Sequence, residues 1–197
     1  MKIYLASKSP RRKEILCTLG FEVICVPSNA AEDTDPSLSP DEMVKALAER
    51  KLLAAKDNIP KDALAIGSDT VVAIGKKILG KPKDEGDAAA MLRLLSGKTH
   101  SVYTGVAMTN GKKSVAGYSK TDVVFKDLTD REINAYVKSK EPLDKAGAYG
   151  IQGKGSMLVK SIVGDYFCVM GLPVSLVCEM YEKLEGKSLI SELDTHL

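Results

Sequence analysis

The sequence has 197 residues, of which 44% are hydrophobic and 27% are charged, so it can fold around a hydrophobic core of its own. Its 28 Lys and Arg residues nearly balance its 26 Asp and Glu residues, and a formal net charge of +2 argues against a broad nucleic-acid-binding surface. No apolar stretch approaches the ~20 residues that a membrane-spanning helix needs. We therefore expect a protein that binds neither a membrane nor nucleic acid stably.

The first part of the chain predicts two strands and two helices. The segment KIYLA predicts a buried strand, and a helix follows from Pro10 to about Leu19 with Ser9 as its N-cap. FEVICV predicts a second strand, and the polar, acidic segment PSNAAEDTDPSLSP predicts a loop. Ser39 and Glu42 then form the pattern of a capping box, which predicts a second helix through MVKALAERKLLAAK.

The remaining segments predict hairpins and three further helices. ALAIGSDTVVAIGKKILGKP predicts a strand and a hairpin around residues 75–77, and DEGDAAAMLRLLSG predicts a helix. Asn110-Gly111 predicts a hairpin turn between two long β-rich runs. TDREINAYVKS, capped by Thr129 and Glu132, and PVSLVCEMYEKLEG predict helices on either side of a glycine-rich region with strand segments. We therefore expect an α/β protein: a mixed twisted sheet with flanking helices and two lobes around a cleft, forming one domain over residues 1–188 with a tail at 189–197.

A candidate anion site lies in the segment SKSPRR, where a strand gives way to a helix. Backbone N–H groups at a helix N-terminus attract anions, and the hydroxyls of Ser7 and Ser9 add donors. The guanidinium groups of Arg11 and Arg12 can grip phosphate oxygens bidentately. Without an anion, each arginine in the first turn would oppose the helix dipole by about 0.3–1 kcal/mol. Two solvated arginines remain an equally good interpretation of this segment taken alone.

Carboxylates provide a candidate catalytic and metal site. We expect Asp69, in IGSDTVV, to come directly after an apolar strand, where it could hold a divalent metal or orient a water molecule. A turn-forming aspartate is the alternative. Glu32 and Asp33 lie in the acidic loop, where most acidic side chains are simply solvated.

Three further side chains suit a nucleotide, although each has an ordinary alternative. The ammonium groups of Lys51 and of Lys81, in LGKP, are point charges suited to phosphate, but most lysines only solvate the surface. Gln152 lies in DKAGAYGIQG, whose glycines permit close backbone approach to a ligand. Its amide could read a base edge, or it could lie on the surface of a tight loop.

The cysteines and histidines exclude several kinds of site. The four cysteines form no C-x-x-C pair, which predicts buried, reduced thiols in a cytoplasmic protein. Only two histidines occur, His100 and His196, so a histidine-rich zinc site or a Ser-His-Asp triad is not expected.

The ordered motifs LASKSPRRKEIL, GSDTVV, LGKPKD, MLRLLSGKTHSVYTGV, EPLDKAGAYGIQG and VMGLPV resemble the Maf family of nucleoside triphosphate pyrophosphatases nearly from end to end. The resemblance implies a fold related to that of inosine triphosphate pyrophosphatases. It also implies hydrolysis of a nucleoside triphosphate to the monophosphate and pyrophosphate, assisted by Mg²⁺ or Mn²⁺. A homodimer is a further implication.

The resemblance also implies roles for individual residues. Asp69 matches the family's proposed proton acceptor, and we expect Glu32, Asp69 or both to hold the metal ion. Base selection is linked to Arg11, Thr70 and Gln152, and the remaining charged positions of the active site are Arg12, Lys51 and Lys81. SDTVV together with AGAYGIQG is similar to the branch that acts on dTTP and UTP.

Two other functions remain open on the sequence. The family is named for effects on septum formation, so the protein could be a non-enzymatic regulator that binds nucleotides or DNA. By analogy of fold alone, it could instead remove damaged purine nucleotides. Pyrophosphate release from a panel of triphosphates distinguishes these alternatives.

Overall fold

The computed structural model describes residues 1–27, 30, 35 and 37–193. Its strands are β1 (Lys2–Ala6), β2 (Glu22–Cys25), β3 (Ala65–Ile74), β4 (Lys77–Leu79), β5 (Thr99–Thr109), β6 (Ser114–Phe125) and β7 (Val159–Val163). Its α-helices are α1 (Pro10–Thr18), α2 (Pro40–Ala55), α3 (Glu85–Leu95), α4 (Asp130–Lys138), α5 (Tyr166–Met170) and α6 (Val174–Glu185). Within the described ranges, no helix combines the length and the apolar character needed to cross a membrane.

The strands form a mixed sheet in the order β2-β1-β3-β5-β6-β7, with β4 paired to β3. Strand β1 runs parallel to both β2 and β3, whereas β4 runs antiparallel to β3 and β7 antiparallel to β6. The parallel pairs need helical crossovers, and α1 and α2 supply them. The predicted α/β class with a mixed sheet and helices is confirmed.

The chain divides into two compact units. Unit 1 comprises residues 1–69, 104–119 and 171–197, and unit 2 comprises residues 70–103 and 120–170. Strands β3, β5 and β6 each contribute residues to both units.

In unit 1, helix α2 lies unusually close to the sheet because two strand positions are glycine. A Cβ added at Gly67 would lie 2.5 Å from the Ala48 carbonyl oxygen, and one at Gly105 would lie 2.1 Å from that of Val44. Real side chains do not approach a backbone oxygen so closely, so these glycines let the helix backbone rest directly on β3 and β5. The surrounding core consists of small and aliphatic side chains: Ala6, Val26, Leu52, Ala55, Ala65 and Ala107.

Unit 2 has its own core, in which α3 and α4 pack together and bury aliphatic and aromatic side chains. Its largest fully buried side chains include Phe125, Leu92 and Ile133. The predicted cap of α4 is confirmed, since the Glu132 N–H donates to Thr129 Oγ1 at 3.3 Å and the Thr129 N–H donates to Glu132 Oε2 at 2.7 Å.

Two local expectations are wrong. Cys17 and Cys25 are exposed, and only Cys168 of the four free cysteines is buried. Cys17 is exposed because α1 buries the preceding Ile15 and Leu16 instead.

The other error concerns the extent of β3. Asp69 does not follow a strand but lies inside β3, because the β-branched residues after it continue the strand as far as Ile74. The last residues of β3 pair with β4.

Candidate active site

The candidate site in unit 1 begins where β1 ends. Ala6 pairs with Gly67, so Ser7 and Ser68 are the next residues along two neighbouring parallel strands. Ser7 is 6% exposed and Ser68 is fully buried. The carboxyl ends of parallel strands are where α/β proteins usually bind ligands, so the end of β1 is a candidate position for a ligand.

Arg12 is held in one place in the first turn of α1. Its side chain is buried, with only 9% of the residue exposed. Its Nε donates to the Gly171 carbonyl oxygen at 2.7 Å and its Nη1 donates to Ser7 Oγ at 3.2 Å. The Ser9 N–H also donates to Ser7 Oγ, at 3.1 Å. The interpretation of Arg12 as a solvated side chain is therefore wrong, while Arg11 beside it is half-buried.

The Gly171 carbonyl links this turn to β3. Besides the bond from Arg12, its oxygen accepts a hydrogen bond from Ser68 Oγ at 2.9 Å. Gly171 has a φ of +101°, a conformation that a residue with a side chain rarely adopts. One carbonyl oxygen thus joins the start of α1 to the residue that precedes Asp69.

Asp69 forms an ion pair with Lys51, whose Nζ donates to Asp69 Oδ1. The two side chains are only 13% and 14% exposed, respectively. Lys51 lies on α2 one turn after Ala48, whose carbonyl rests on Gly67, so the close approach of helix and strand brings the ammonium group to the carboxylate. A carboxylate that is paired and largely shielded from solvent is held in one orientation, because breaking a buried ion pair is energetically unfavourable.

The chemistry of these contacts suits a polyanion. The described residues hold two basic side chains in place, Arg12 through Ser7 and Gly171, and Lys51 through Asp69. Two buried hydroxyls and the start of a helix lie beside them. Guanidinium, ammonium and backbone N–H groups are the usual ligands of phosphate.

The other predicted site residues belong to unit 2 or lie outside the described ranges. Thr70 follows Asp69 in β3 and is half-buried, whereas Lys81 is exposed. Gln152 is half-buried and directly precedes a short 3-10 helix, Gly153–Leu158. Glu32 and Asp33 lie outside the described residues, so the roles predicted for them stay predictions.

The described part of the chain contains no group of three or more His, Cys, Asp and Glu side chains that could enclose a metal ion. Asp69 nevertheless provides a hard oxygen ligand beside Lys51. Mg²⁺ usually keeps several waters and binds through one or two carboxylates and the phosphates of a substrate. The residues present therefore fit a cation of this kind, bound together with a phosphate ligand.

Comparison with known proteins identifies the family to which this chain belongs. The family model described as Maf-like protein matches residues 2–184. The chain belongs to the Maf family. Two relatives named dTTP/UTP pyrophosphatase, from Bacillus cereus strain AH820 and Bacillus thuringiensis subsp. konkukian strain 97-27, are each 52% identical over 174 residues, covering 88% of this chain and 91% of theirs.

Another relative of that name, from Bacillus anthracis, is 51% identical over the same share of each chain. The structure of the Staphylococcus aureus Ham1 protein aligns with 93% of this Maf chain and 91% of its own, at a TM-score of 0.45 and 11% identity.

Sequence reasoning missed the residues that share hydrogen bonds with Arg12 at the candidate site of this Maf protein. Ser68 reads as one polar residue in a buried strand, and nothing nearby in the sequence reveals that its hydroxyl donates to Gly171. Gly171 lies inside the quoted motif VMGLPV, yet its role needs a contact with Arg12, which is 159 positions away. Glu141, in EPLDKAGAYGIQG, was also not singled out, although it makes several contacts within unit 2.

Proposed function

We propose that this Maf protein hydrolyses nucleoside triphosphates, preferring dTTP and UTP, to the monophosphate and pyrophosphate. The observation that carries the proposal is 52% identity, over 88% of the chain, to relatives named dTTP/UTP pyrophosphatase. The bond between Arg12 and Ser7 and the ion pair between Lys51 and Asp69 support it, because phosphoryl transfer is catalysed mainly by positioning and by neutralising charge.

In the proposed mechanism the basic side chains bind the triphosphate. Arg11, Arg12, Lys51 and Lys81 would offset the charge of the phosphates and of the departing pyrophosphate, with Ser7 and Ser9 as hydroxyl donors. Arg12 suits this role because its bonds to Ser7 and Gly171 fix the orientation of its guanidinium group. A group that is already oriented loses less conformational entropy on binding.

Asp69 is the proposed catalytic residue. Its carboxylate would accept a hydrogen bond from the attacking water, orient it and take its proton, while Lys51 holds the carboxylate in place. Asp69 and Glu32 would hold a divalent cation, Mg²⁺ or Mn²⁺, which would supply further charge neutralisation at the phosphates.

Gln152 and Thr70 are the proposed selectors of the base. An amide offers both a donor and an acceptor, which can match the edge of thymine or uracil. A ligand that leaves a buried amide unpaired loses ~1–3 kcal/mol, equivalent to roughly ten- to hundredfold in preference. Gln152→Ala should therefore lower the preference for dTTP over dGTP by such a factor, and an unchanged preference would remove Gln152 from the proposal.

The decisive experiment measures pyrophosphate release from dTTP, UTP, dCTP, dGTP, dATP and ITP, each with Mg²⁺, with Mn²⁺ and with a chelator. We expect release to be fastest with dTTP and UTP and to require the cation. Asp69→Asn should abolish turnover but keep the fold, whereas Asp62→Asn, at an exposed acid of the same unit, should leave turnover unchanged.

Three results would contradict the proposal. Wild-type turnover by Asp69→Asn would exclude Asp69 as the base. Faster release from ITP than from dTTP would indicate a purine nucleotide pyrophosphatase. Nucleotide binding without release would indicate a non-enzymatic regulator.

A further inference from the structure

Two side chains, those of Tyr136 and Glu141, accept hydrogen bonds from the backbone of the Gln152 loop on either side of Gln152. On one side, the Gly150 N–H donates to the Tyr136 hydroxyl at 3.1 Å. On the other, the N–H groups of Lys154 and Gly155 donate to Glu141 Oε2 and Oε1 at 3.1 and 3.0 Å. These anchored residues lie only two or three positions from Gln152, so their bonds determine where its backbone lies.

The two anchors form one network. The Tyr136 hydroxyl, which accepts from Gly150, donates to Glu141 Oε1 at 3.0 Å. Burial raises the pKa of Tyr136, so the hydroxyl remains a proton donor. Burial also raises the pKa of Glu141, but the bonds from Gly155, Lys154 and Tyr136 outweigh it and leave that pKa below its usual value. An ionised carboxylate here accepts three hydrogen bonds and leaves each of these donors paired.

The loop also closes on itself at this network. A Cβ added at Gly155 would lie 2.2 Å from the Gly150 carbonyl oxygen and 2.6 Å from the Tyr136 hydroxyl. The chain therefore leaves Gly150, passes through Gln152 and returns to within contact of its starting point. Gly153, next to Gln152, has a φ of +65°, and a Cβ on it would lie 3.0 Å from Glu141 Oε2. Glycine at these two positions allows the loop to wrap tightly around the carboxylate.

We propose that Glu141 is a positioning residue for base selection, which acts with Tyr136 to hold the Gln152 loop in the conformation that presents the amide to the base. The inference rests on the proposed function, because it assumes that Gln152 reads the base. Glu141 itself need not touch the substrate. Its effect is to remove conformations of the loop in which the amide would point elsewhere, and a preorganised amide discriminates better than a mobile one.

The test is the substitution Glu141→Gln, which keeps the size of the side chain but replaces one acceptor oxygen with an NH₂ donor. That donor would face a backbone N–H or the Tyr136 hydroxyl, so at least one bond of the network is lost. We expect the ratio of kcat/KM for dTTP to that for dGTP to fall about tenfold, since one lost bond of this kind changes an equilibrium by roughly that factor. Tyr136→Phe, which removes the anchor of Gly150, should lower the ratio in the same direction.

Two controls separate positioning from general destabilisation. Thr129→Ala removes the helix cap of α4, the helix that carries Tyr136, without touching the network, and should leave the ratio unchanged. In a Gln152→Ala background, Glu141→Gln should lower the ratio no further, because two residues that act through one another are not additive.

Each outcome bears on one proposal or the other. An unchanged dTTP to dGTP ratio in Glu141→Gln, with the wild type clearly selective, overturns the inference and leaves the proposed function intact. An equal loss of selectivity in Thr129→Ala, or additive losses in the double variant, also overturns it. A wild type that shows no preference for dTTP overturns the proposed function, and the inference with it.

Discussion

His100 should make the stability of this protein depend on pH between 4 and 6.5. The residue is 2% exposed at the start of β5. Its Nε2 makes a 2.8 Å hydrogen bond with the Tyr149 hydroxyl, and its ring packs edge-on against Phe125, with centroids 4.9 Å apart. Burial lowers the pKa of His100 from 6.5 to about 4, although the nearby charge of Asp122 raises it slightly. The folded protein therefore keeps this imidazole neutral where the unfolded chain protonates it.

The magnitude follows from the two pKa values. Between pH 6.5 and about 4 the unfolded state binds one more proton than the folded state at this residue, so acid favours unfolding. At 1.36 kcal/mol per pKa unit, the contribution of His100 to the free energy of unfolding should fall by about 2 kcal/mol from pH 7.5 to pH 5, and by about 3 kcal/mol at pH 4. Above pH 6.5 the contribution of His100 to the pH dependence should vanish.

Urea denaturation of the wild type and of His100→Gln at pH 7.5 and pH 5 measures this term. The variant loses the imidazole and should be less stable at pH 7.5, but its stability should fall by about 2 kcal/mol less than that of the wild type on acidification. His196→Gln removes the only other histidine and serves as the control that should behave like the wild type. Equal pH dependence in His100→Gln and the wild type would refute the reasoning.

Three other substitutions test the packing described above. Gly105→Ala should destabilise the protein by about 3 kcal/mol or more in urea denaturation, because the added methyl group would meet the Val44 carbonyl oxygen. Gly80→Ala is the control and should cost far less, because there is open space around Gly80. Similar losses in the two variants would contradict the conclusion that α2 rests directly on the strand at Gly105. Thr129→Ala should cost about 1 kcal/mol through the lost cap, and no change would mean that the cap contributes nothing. Arg12→Lys should lower stability by about 1–3 kcal/mol in the same assay, because an ammonium group cannot reproduce the hydrogen bonds that Nε and Nη1 donate. Unchanged stability would show that these bonds do not stabilise the fold.

Local signals in the sequence were sufficient for most of the fold. Proline at the first helical position, capping residues and turn glycines are short-range features, so the starts of α1, α2 and α4 and the turn at Asn110-Gly111 could be predicted from neighbouring residues alone. The extent of β3 could not, because Asp69 is a residue type that is common in turns and rare inside strands, so a strand that ends before it and a longer strand that contains it were both compatible with the sequence. Pairing with β4 decides between them.

In the candidate site, too, local patterns and long-range contacts differ in what the sequence reveals. Charged residues within a motif, such as Asp69 and Arg12, could be named as candidates from the sequence. Their actual partners could not, because the Lys51–Asp69 pair depends on how closely α2 approaches β3, and that distance is set by the glycines at 67 and 105. Glu141 was missed for the same reason, since two of its three donors lie 13 and 14 positions away, in a loop whose path no local pattern reveals.

The bond between Arg12 and Gly171 has a consequence for biosynthesis. The two residues are separated by 159 positions, so the acceptor for the Arg12 guanidinium group leaves the ribosome long after Arg12 itself. Until Gly171 has been synthesised, the Arg12 Nε has no Gly171 carbonyl oxygen to which it can donate a hydrogen bond. Assembly of the candidate phosphate site is therefore a late event, and a nascent chain or a truncation ending before Gly171 cannot contain the finished arrangement.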